Sequence, residues 1–473
     1  MTPPNKKKPS LPHRTDLGNA KLFADLFKDK MRYDHLRGKW LLFSAHWWAA
    51  DVDGETTRRA ADAIQIRNQI AREVCDDEGL KKEVAWSIES ESLSRLKAML
   101  KLAQDEKSLA DKGSDWDGNP WLLGVANGIV DLKRGILRKG KPADRVIMHS
   151  DFPFDPNAQA PRWLQFLSEI FRDPELISYV QRAIGYTLTG QTSEQCLFCC
   201  FGEGNNGKTT FLNAIRHALG SYSFNLPFSA FELDARSTIP NDIAALPGRR
   251  FVTAIETAEN SQLNAARIKA LTGSDPISAR MLHKEFFTFV PVSKFWLAFN
   301  HRPVVTDDSR GFWRRVHLIP FSQQFVPNKE SRLEEILKAE GPGILAWAVR
   351  GSLAWQSEGL NPPAIVREAT NAYREESDPV HDFIESRCVV EESASVTVGD
   401  LWGAYKYWTM DNCEPTSTRT EFNRRLQRLG LEKTRRGHGR EWTWLGIRIR
   451  TDEDPPGDEL DADKRTEADT KIQ

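Results

Sequence analysis

The sequence predicts an α/β fold: a mostly helical N-terminal region, a P-loop core and a C-terminal winged-helix module. Three observations predict it. Between residues 195 and 321 short apolar runs alternate with helical segments, the rhythm of a sheet with helices on both faces. One run, Cys196-Leu197-Phe198-Cys199-Cys200-Phe201, leads directly into Gly202-Glu203-Gly204-Asn205-Asn206-Gly207-Lys208-Thr209, which satisfies G-x-x-x-x-G-K-[ST]. Near the C-terminus, three helical stretches precede a two-stranded pattern.

At 473 residues and 40% hydrophobic content, the chain is too long for one ordinary core and calls for several domains. Lys+Arg (65) and Asp+Glu (66) nearly cancel, so any basic surface must be local. Residues 1–17 read as a disordered basic tail without the apolar run of a signal peptide. No later stretch is long and apolar enough to suggest a membrane span, so the expectation is a soluble, cytoplasmic protein without a membrane partner. Six cysteines are sparse, and alternation along a strand points Cys196 and Cys199 to opposite faces, which suits a buried strand better than a metal site.

In chain order, residues 18–160 form a pre-motor region: a Trp-rich patch (Trp40, Trp47, Trp48), then long charged helical stretches. Asp51 and Asp53 mimic an acidic catalytic pair but read as a loop. Residues 127–135 read as strand, turn and strand. Pro161 opens a helix with Trp163, Phe166, Leu167, Ile170 and Phe171 on one face, and a second helix spans about residues 174–188; together, residues 161–194 make a helical collar. The motor follows over residues 195–325, a helical extension over 326–378, the winged-helix-like module over 379–450, and an acidic tail over 451–473 that reads as disordered.

Each candidate site residue has a chemical reason. Glycines in the loop let backbone N–H groups converge on phosphates, the following helix adds its positive end, Lys208 reaches the β and γ phosphates, and Thr209 offers a hydroxyl to Mg2+, with Thr210 next in the helix. Hydrolysis also needs a carboxylate at the end of a neighbouring buried strand. Glu256 directly ends the run 251–255 and is preferred over Glu259. Asn300 ends the run 295–299, placed to contact a γ-phosphate or orient water. Arg314 and Arg315 precede the run 316–321, and one of them is expected to stabilise transition-state charge across a subunit boundary.

Taken in order, the loop at Gly202, Glu256, the segment 268–275, Asn300 and Trp313-Arg314-Arg315 resemble the C-terminal helicase portion of phage and plasmid primases, which relate to the poxvirus primase-helicase and to viral superfamily 3 helicases. Residues 127–135, 161–170 and 186–190 resemble that family's pre-motor region, so the likeness covers about residues 18–450. It implies an AAA+-related ring, usually a homo-hexamer, with ATP between subunits, a DNA strand in the central channel and three-prime to five-prime translocation. It also implies a DNA-gripping hairpin over residues 278–294, with Arg280, His283 and Lys284 as contacts. Such helicases often follow a primase domain; no acidic catalytic pair is evident in residues 21–110, so priming is expected from a separate polypeptide.

In the C-terminal module, Thr418 and Glu421 suit a helix cap, and Arg424, Arg425 and Arg428 lie along that helix, with Arg435, Arg436 and Arg440 in the turn beyond. Duplex DNA is the expected partner of these arginines. The functional expectation is an ATP-dependent DNA helicase that serves replication of a phage, prophage or plasmid-like element in a bacterial host. The alternative is an initiator or regulatory ATPase that uses nucleotide as an assembly switch.

Overall fold

The computed structural model describes residues 11–233, 241–256, 261–280, 286–325, 332–377, 379–412, 418–436, 441–451 and 454. At its centre lies a five-stranded sheet in the order Val316–Pro320, Leu197–Phe201, Lys294–Phe299, Phe251–Ile255, Ser223–Asn225. Every neighbouring pair is parallel. Parallel strands are covered on both faces, which is why they read as nearly unbroken apolar runs. Alternation sorts the side chains: Phe198, Cys200, Trp296, Ala298 and Ile319 enter one core, and Leu197, Cys199, Val252, Ala254, Phe295, Leu297 and Phe299 the other. Cys196 and Cys199 accordingly lie in different cores.

The first core is closed by the helices Pro161–Phe171, Pro174–Leu188, Lys208–Leu219 and Gly341–Glu358. The apolar stripe read from Trp163 to Phe171 is the buried face of the first of these. Two glycines let the second and fourth cross closely: a Cβ on Gly185 would lie 2.0 Å from the Gly351 carbonyl carbon, and one on Gly351 would lie 2.0 Å from the Gln181 oxygen. The second core is covered by Ala265–Thr272 and by Tyr373 of the helix Ala364–Glu376, whose hydroxyl donates to the Pro303 carbonyl at 2.5 Å.

The N-terminal region is not mostly helical as expected. The Trp-rich patch forms strands Lys39–Ser44 and Trp47–Ala50, which join Met31–Asp34 and Ala110–Asp111 in a four-stranded sheet beside the helices Asp16–Phe27, Glu55–Val74, Asp77–Ser90 and Leu93–Ala103. Tertiary contacts such as the edge-on packing of Trp48 on Trp116 help set these short strands, and periodicity alone does not register them. Asp51 lies in a loop and caps a helix, accepting the backbone N–H groups of Gly54, Glu55 and Thr56 at 2.9–3.0 Å, while Asp53 pairs with Arg58 at 2.8 Å. Of the expected N-terminal tail, residues 1–10 lie outside the described residues, whereas Pro12 and Thr15 are engaged: the Pro12 carbonyl accepts from Arg67 at 2.7 Å and Thr15 caps the first helix.

The residues 127–135 contribute Gly128–Asp131 to a three-stranded sheet with Leu122–Val125 and Ile136–Arg138. Two buried cations tie this region and the collar to the central sheet. Arg250 donates to the Leu188 carbonyl at 2.6 Å and the Leu122 carbonyl at 2.8 Å, and Lys294 donates to the carbonyls of Thr189, Gln191 and Val292. Near the C-terminus, the helices Pro379–Arg387, Val398–Asp411 and Arg419–Arg428 pack on a sheet in the order Cys388–Thr397, Glu441–Ile449, Glu432–Arg436. The first of these strands went unread in the sequence. No helix among the described residues is long and apolar enough to cross a membrane. Apart from residues 451 and 454, the expected acidic tail lies outside the described residues.

Candidate functional site

The chain runs from the Leu197–Phe201 strand out to the far edge of the sheet and returns through Phe251–Ile255 and Lys294–Phe299 before crossing to Val316–Pro320. The strand order therefore reverses around Leu197–Phe201, and the crevice beyond the carboxyl ends of the strands there is where open α/β sheets place ligands. Three of the expected site positions meet in that region: Gly202–Thr209 after the first strand, Glu256 after Phe251–Ile255 and Asn300 after Lys294–Phe299.

The loop is internally braced. The Asn206 side-chain amide donates to the Glu203 carbonyl and to the Phe321 carbonyl at 3.3 Å. The Phe325 N–H donates to the Asn205 carbonyl at 2.8 Å, and Gln324 donates to the Glu203 carboxylate at 3.0 Å. Gly207 has φ +86°, and a Cβ there would lie 2.8 Å from Ile170 Cγ2, so glycine is required both for backbone conformation and for seating the loop on the collar helix. Gly204 has open space around it. Lys208 and Thr209 open the twelve-residue helix Lys208–Leu219, with Thr210 in its first turn.

Lys208 is only 6% exposed. Its ammonium donates to the Gly202 carbonyl, to Asn206 Oδ1 at 3.1 Å and to Asn300 Oδ1 at 3.0 Å. Burial pulls its pKa below the ordinary lysine value. Across the crevice, the Glu256 N–H donates to the Ala298 carbonyl at 2.9 Å, which fixes the residue at the end of its strand. Both Glu256 carboxylate oxygens are shielded from solvent and make no hydrogen bond of ordinary geometry with a described residue. Burial raises its pKa, opposed by the Ser261 hydroxyl and His301. An anion at the loop would thus meet Lys208 and a helix N-terminus, while the under-satisfied Glu256 carboxylate stands at the end of a strand two places along the sheet. Glu259, the competitor for this role, lies outside the described residues.

Arg314 and Arg315 are not brought to this crevice. They precede Val316–Pro320 at the opposite end of the parallel sheet, a strand's length away at about 3.3 Å per residue. The two differ in setting. Arg315 is 9% exposed and donates to Thr272 Oγ1 at 3.2 Å, to the Gly311 carbonyl and to Gln195 Oε1 at 3.3 Å. Arg314 is exposed, and among the described residues its side chain donates to Gln195 alone, at 2.6 Å. The segment 268–275 supports this end: Lys269 bridges Asp307 and Ser309 Oγ, the latter at 2.9 Å. Gln195, which receives both arginines, carries no sequence signal that would have identified it.

The expected hairpin exists as the antiparallel strands Ile277–Arg280 and Phe286–Phe289. The Arg280 guanidinium lies 5.0 Å from the ring centre of exposed Phe286, while His283 and Lys284 lie outside the described residues. In the C-terminal module, Thr418 caps the third helix as read, accepting the Glu421 N–H at 3.3 Å. The helix does not offer all its arginines outward, however. Arg425 shares the buried face with Phe422 and Leu426 and donates to the Thr306 carbonyl at 3.3 Å, and Arg428 pairs with Asp308, which also binds Arg374 at 2.7 Å. Helical spacing accounts for this, since positions 422, 425 and 426 fall on one face and Arg424 points away to solvent. Arg435 is exposed on its strand, the Arg436 side chain is not among those described, and Arg440 lies outside the described residues.

The comparisons with known proteins follow this architecture. Residues 20–172 match a family described as "D5 N terminal like", residues 375–445 one described as "Poxvirus D5 protein-like", and residues 200–315 a "Family of unknown function (DUF5906)". A putative helicase of Acanthamoeba polyphaga mimivirus is 26% identical over 324 residues, covering 63% of this chain and 34% of that protein. A putative helicase of Frog virus 3 is 23% identical over 383 residues, covering 63% of this chain and 39% of that protein. A putative primase of African swine fever virus is 24% identical over 350 residues, covering 67% and 36%. The chain therefore spans little more than a third of the length of these curated relatives. Among solved structures, the NrS-1 C terminal region (305–718) shares the fold with TM-score 0.51 at 9% identity, covering 91% of this chain and 99% of that one.

In class, the chain is a mixed α/β protein whose relatives carry helicase and primase names. More particularly, it carries D5 N-terminal-like and poxvirus D5-like domains, consistent with the resemblance to superfamily 3 primase-helicases. These relatives are viral and do not indicate the bacterial host that the sequence reading expected.

Proposed function

We propose that the chain is an ATP-dependent DNA helicase of the superfamily 3 type, an AAA+-like P-loop motor with a winged-helix module, which separates duplex DNA during replication of a mobile or viral element. The observation that carries this reading is the meeting of Lys208 and Asn300 at 3.0 Å beyond the sheet's switch point, with Glu256 at the end of the adjoining strand. Chance matches to the glycine-rich motif do not supply that constellation.

In this reading ATP and Mg2+ supply the transferable phosphoryl group and its charge neutralisation. Lys208 exchanges its carbonyl contact for phosphate oxygens, and Thr209 offers its hydroxyl to the metal. Glu256, under-satisfied where it stands, supports the metal and takes the proton of the attacking water. Asn300 holds Lys208 in line and orients the phosphate end of the site.

The charge-stabilising arginine comes from a neighbouring copy in a ring, because both candidates stand at the opposite end of the sheet from the loop of their own chain. Arg314 suits this role by its exposure; Arg315 braces the segment from within. The hairpin with Arg280 faces DNA in the channel. Mixing tests the arrangement. Lys208→Ala and Arg314→Ala chains, each inactive alone, are expected to regain up to about a quarter of wild-type hydrolysis when assembled together in equal amounts, because some interfaces pair an intact loop with an intact arginine. No recovery in verified mixed assemblies would remove Arg314 from the site in trans.

A further inference from the structure

The C-terminal sheet presents a second basic surface, distinct from the arginine helix singled out in the sequence. Arg435 stands directly across from Trp442, and Lys433 across from Trp444, so the four side chains share one face of the hairpin. Trp444 is fully buried, whereas Trp442 is 45% exposed. The Lys433 ammonium lies 5.2 Å from the Trp442 ring centre and the Arg435 guanidinium 4.9 Å. Both cations are exposed, and neither donates a hydrogen bond to a described residue, so each can exchange the ring for a phosphate.

Beside Trp442 runs an open groove of about 620 Å³, lined also by Arg419, Asn423, Asp400 and Glu441. Asn423 Oδ1 is shielded from solvent and accepts no hydrogen bond from a described residue, an acceptor whose burial without a partner is costly. Asp400 accepts from the Thr397 hydroxyl at 2.7 Å. Cations, an exposed aromatic face and nearby acceptors together match one ligand chemistry: phosphate for Lys433 and Arg435, a base to stack on Trp442, and N–H edges of that base for Asn423 and the carboxylates. An acidic peptide would use the cations, but its carboxylates would stand beside Asp400 and Glu441 and its acidic residues offer no ring to stack on Trp442.

We propose that this face binds single-stranded nucleic acid, with an unpaired base stacked on Trp442 and the adjoining phosphates met by Lys433 and Arg435. The inference rests on the reading of the chain as a DNA-handling motor and adds a single-strand contact outside the channel.

Fluorescence anisotropy of the full chain tests it, with labelled oligothymidylate and a blunt duplex of equal length, both without nucleotide. Trp442→Ala is expected to weaken single-strand binding about tenfold and duplex binding by less than about twofold, while Trp442→Phe keeps single-strand affinity within about threefold of wild type. Lys433→Ala with Arg435→Ala is expected to lower the salt dependence of single-strand binding by about one unit or more of slope. DNA-independent ATP hydrolysis is expected to be unchanged in all three, so failure of the motor reading would show in the wild-type chain and not here. Unchanged single-strand affinity in Trp442→Ala, equal losses on both DNAs, or no oligonucleotide binding by the wild-type chain would each overturn the proposal.

Discussion

Lys208→Ala is expected to reduce ATP hydrolysis by at least about 100-fold, while the protein stays folded. Lys208 is almost fully buried, and its charge is held by three oxygens, with no paired carboxylate among the described residues. An ammonium already stripped of water attracts a phosphate in a poorly screened environment, so its loss removes an interaction far stronger than a surface contact. Stability is affected much less. Burial holds the Lys208 pKa below its ordinary value, which means that folding opposes its charge, and removing the charge relieves part of that opposition. Steady-state hydrolysis and thermal unfolding measured on the same preparation check both halves, with a shift in midpoint of no more than about 3 °C expected.

Glu256→Gln is expected to cut turnover by about 10²- to 10³-fold while nucleotide binding persists, because the amide keeps the shape but neither neutralises a metal nor accepts a proton. Its effect on stability runs the other way. Burial raises the Glu256 pKa, so between the unfolded and folded values the native state binds more protons than the unfolded chain. Stability from this group therefore falls as pH rises through that window and is fully recovered only below the ordinary glutamate range. The glutamine variant is accordingly expected to melt above the wild-type chain at neutral pH and to lose that advantage toward pH 4. Wild-type turnover is expected to decline on acidification at a higher pH than an unshifted carboxylate would give. Melting curves and turnover across pH 4 to 8 check the sign.

The central sheet was legible because a doubly covered parallel strand has to be continuously apolar, and the runs at 197–201, 251–255 and 294–299 end at the residues that matter. Their order in space was not legible. Only the pairing of Leu197–Phe201 with both Lys294–Phe299 and Val316–Pro320 shows that Asn300 reaches Lys208 and that Arg314 does not. The N-terminal strands escaped because each is at most six residues long and is seated by aromatic packing from far along the chain, as where Trp48 meets Trp116. The C-terminal arginines illustrate the limit of charge patterning. Arg424, Arg425 and Arg428 look alike as a basic cluster, but helical phase sends Arg425 inward, and Asp308, more than a hundred residues earlier, captures Arg428. Trp442 lies in the two-stranded pattern near the C-terminus, but its exposure beside two cations is a property of register.

Whether the chain unwinds DNA is decided by strand displacement from a forked DNA duplex, with the wild-type and Lys208→Ala chains compared in ATP, in ADP and on a matched RNA fork. Progressive release of the displaced DNA strand by the wild-type chain in ATP alone, and none by the variant, is the expected result. ATP-dependent assembly on the fork without displacement would contradict it in favour of a nucleotide-gated initiator. Displacement by Lys208→Ala at the wild-type rate would remove the glycine-rich loop from the motor altogether.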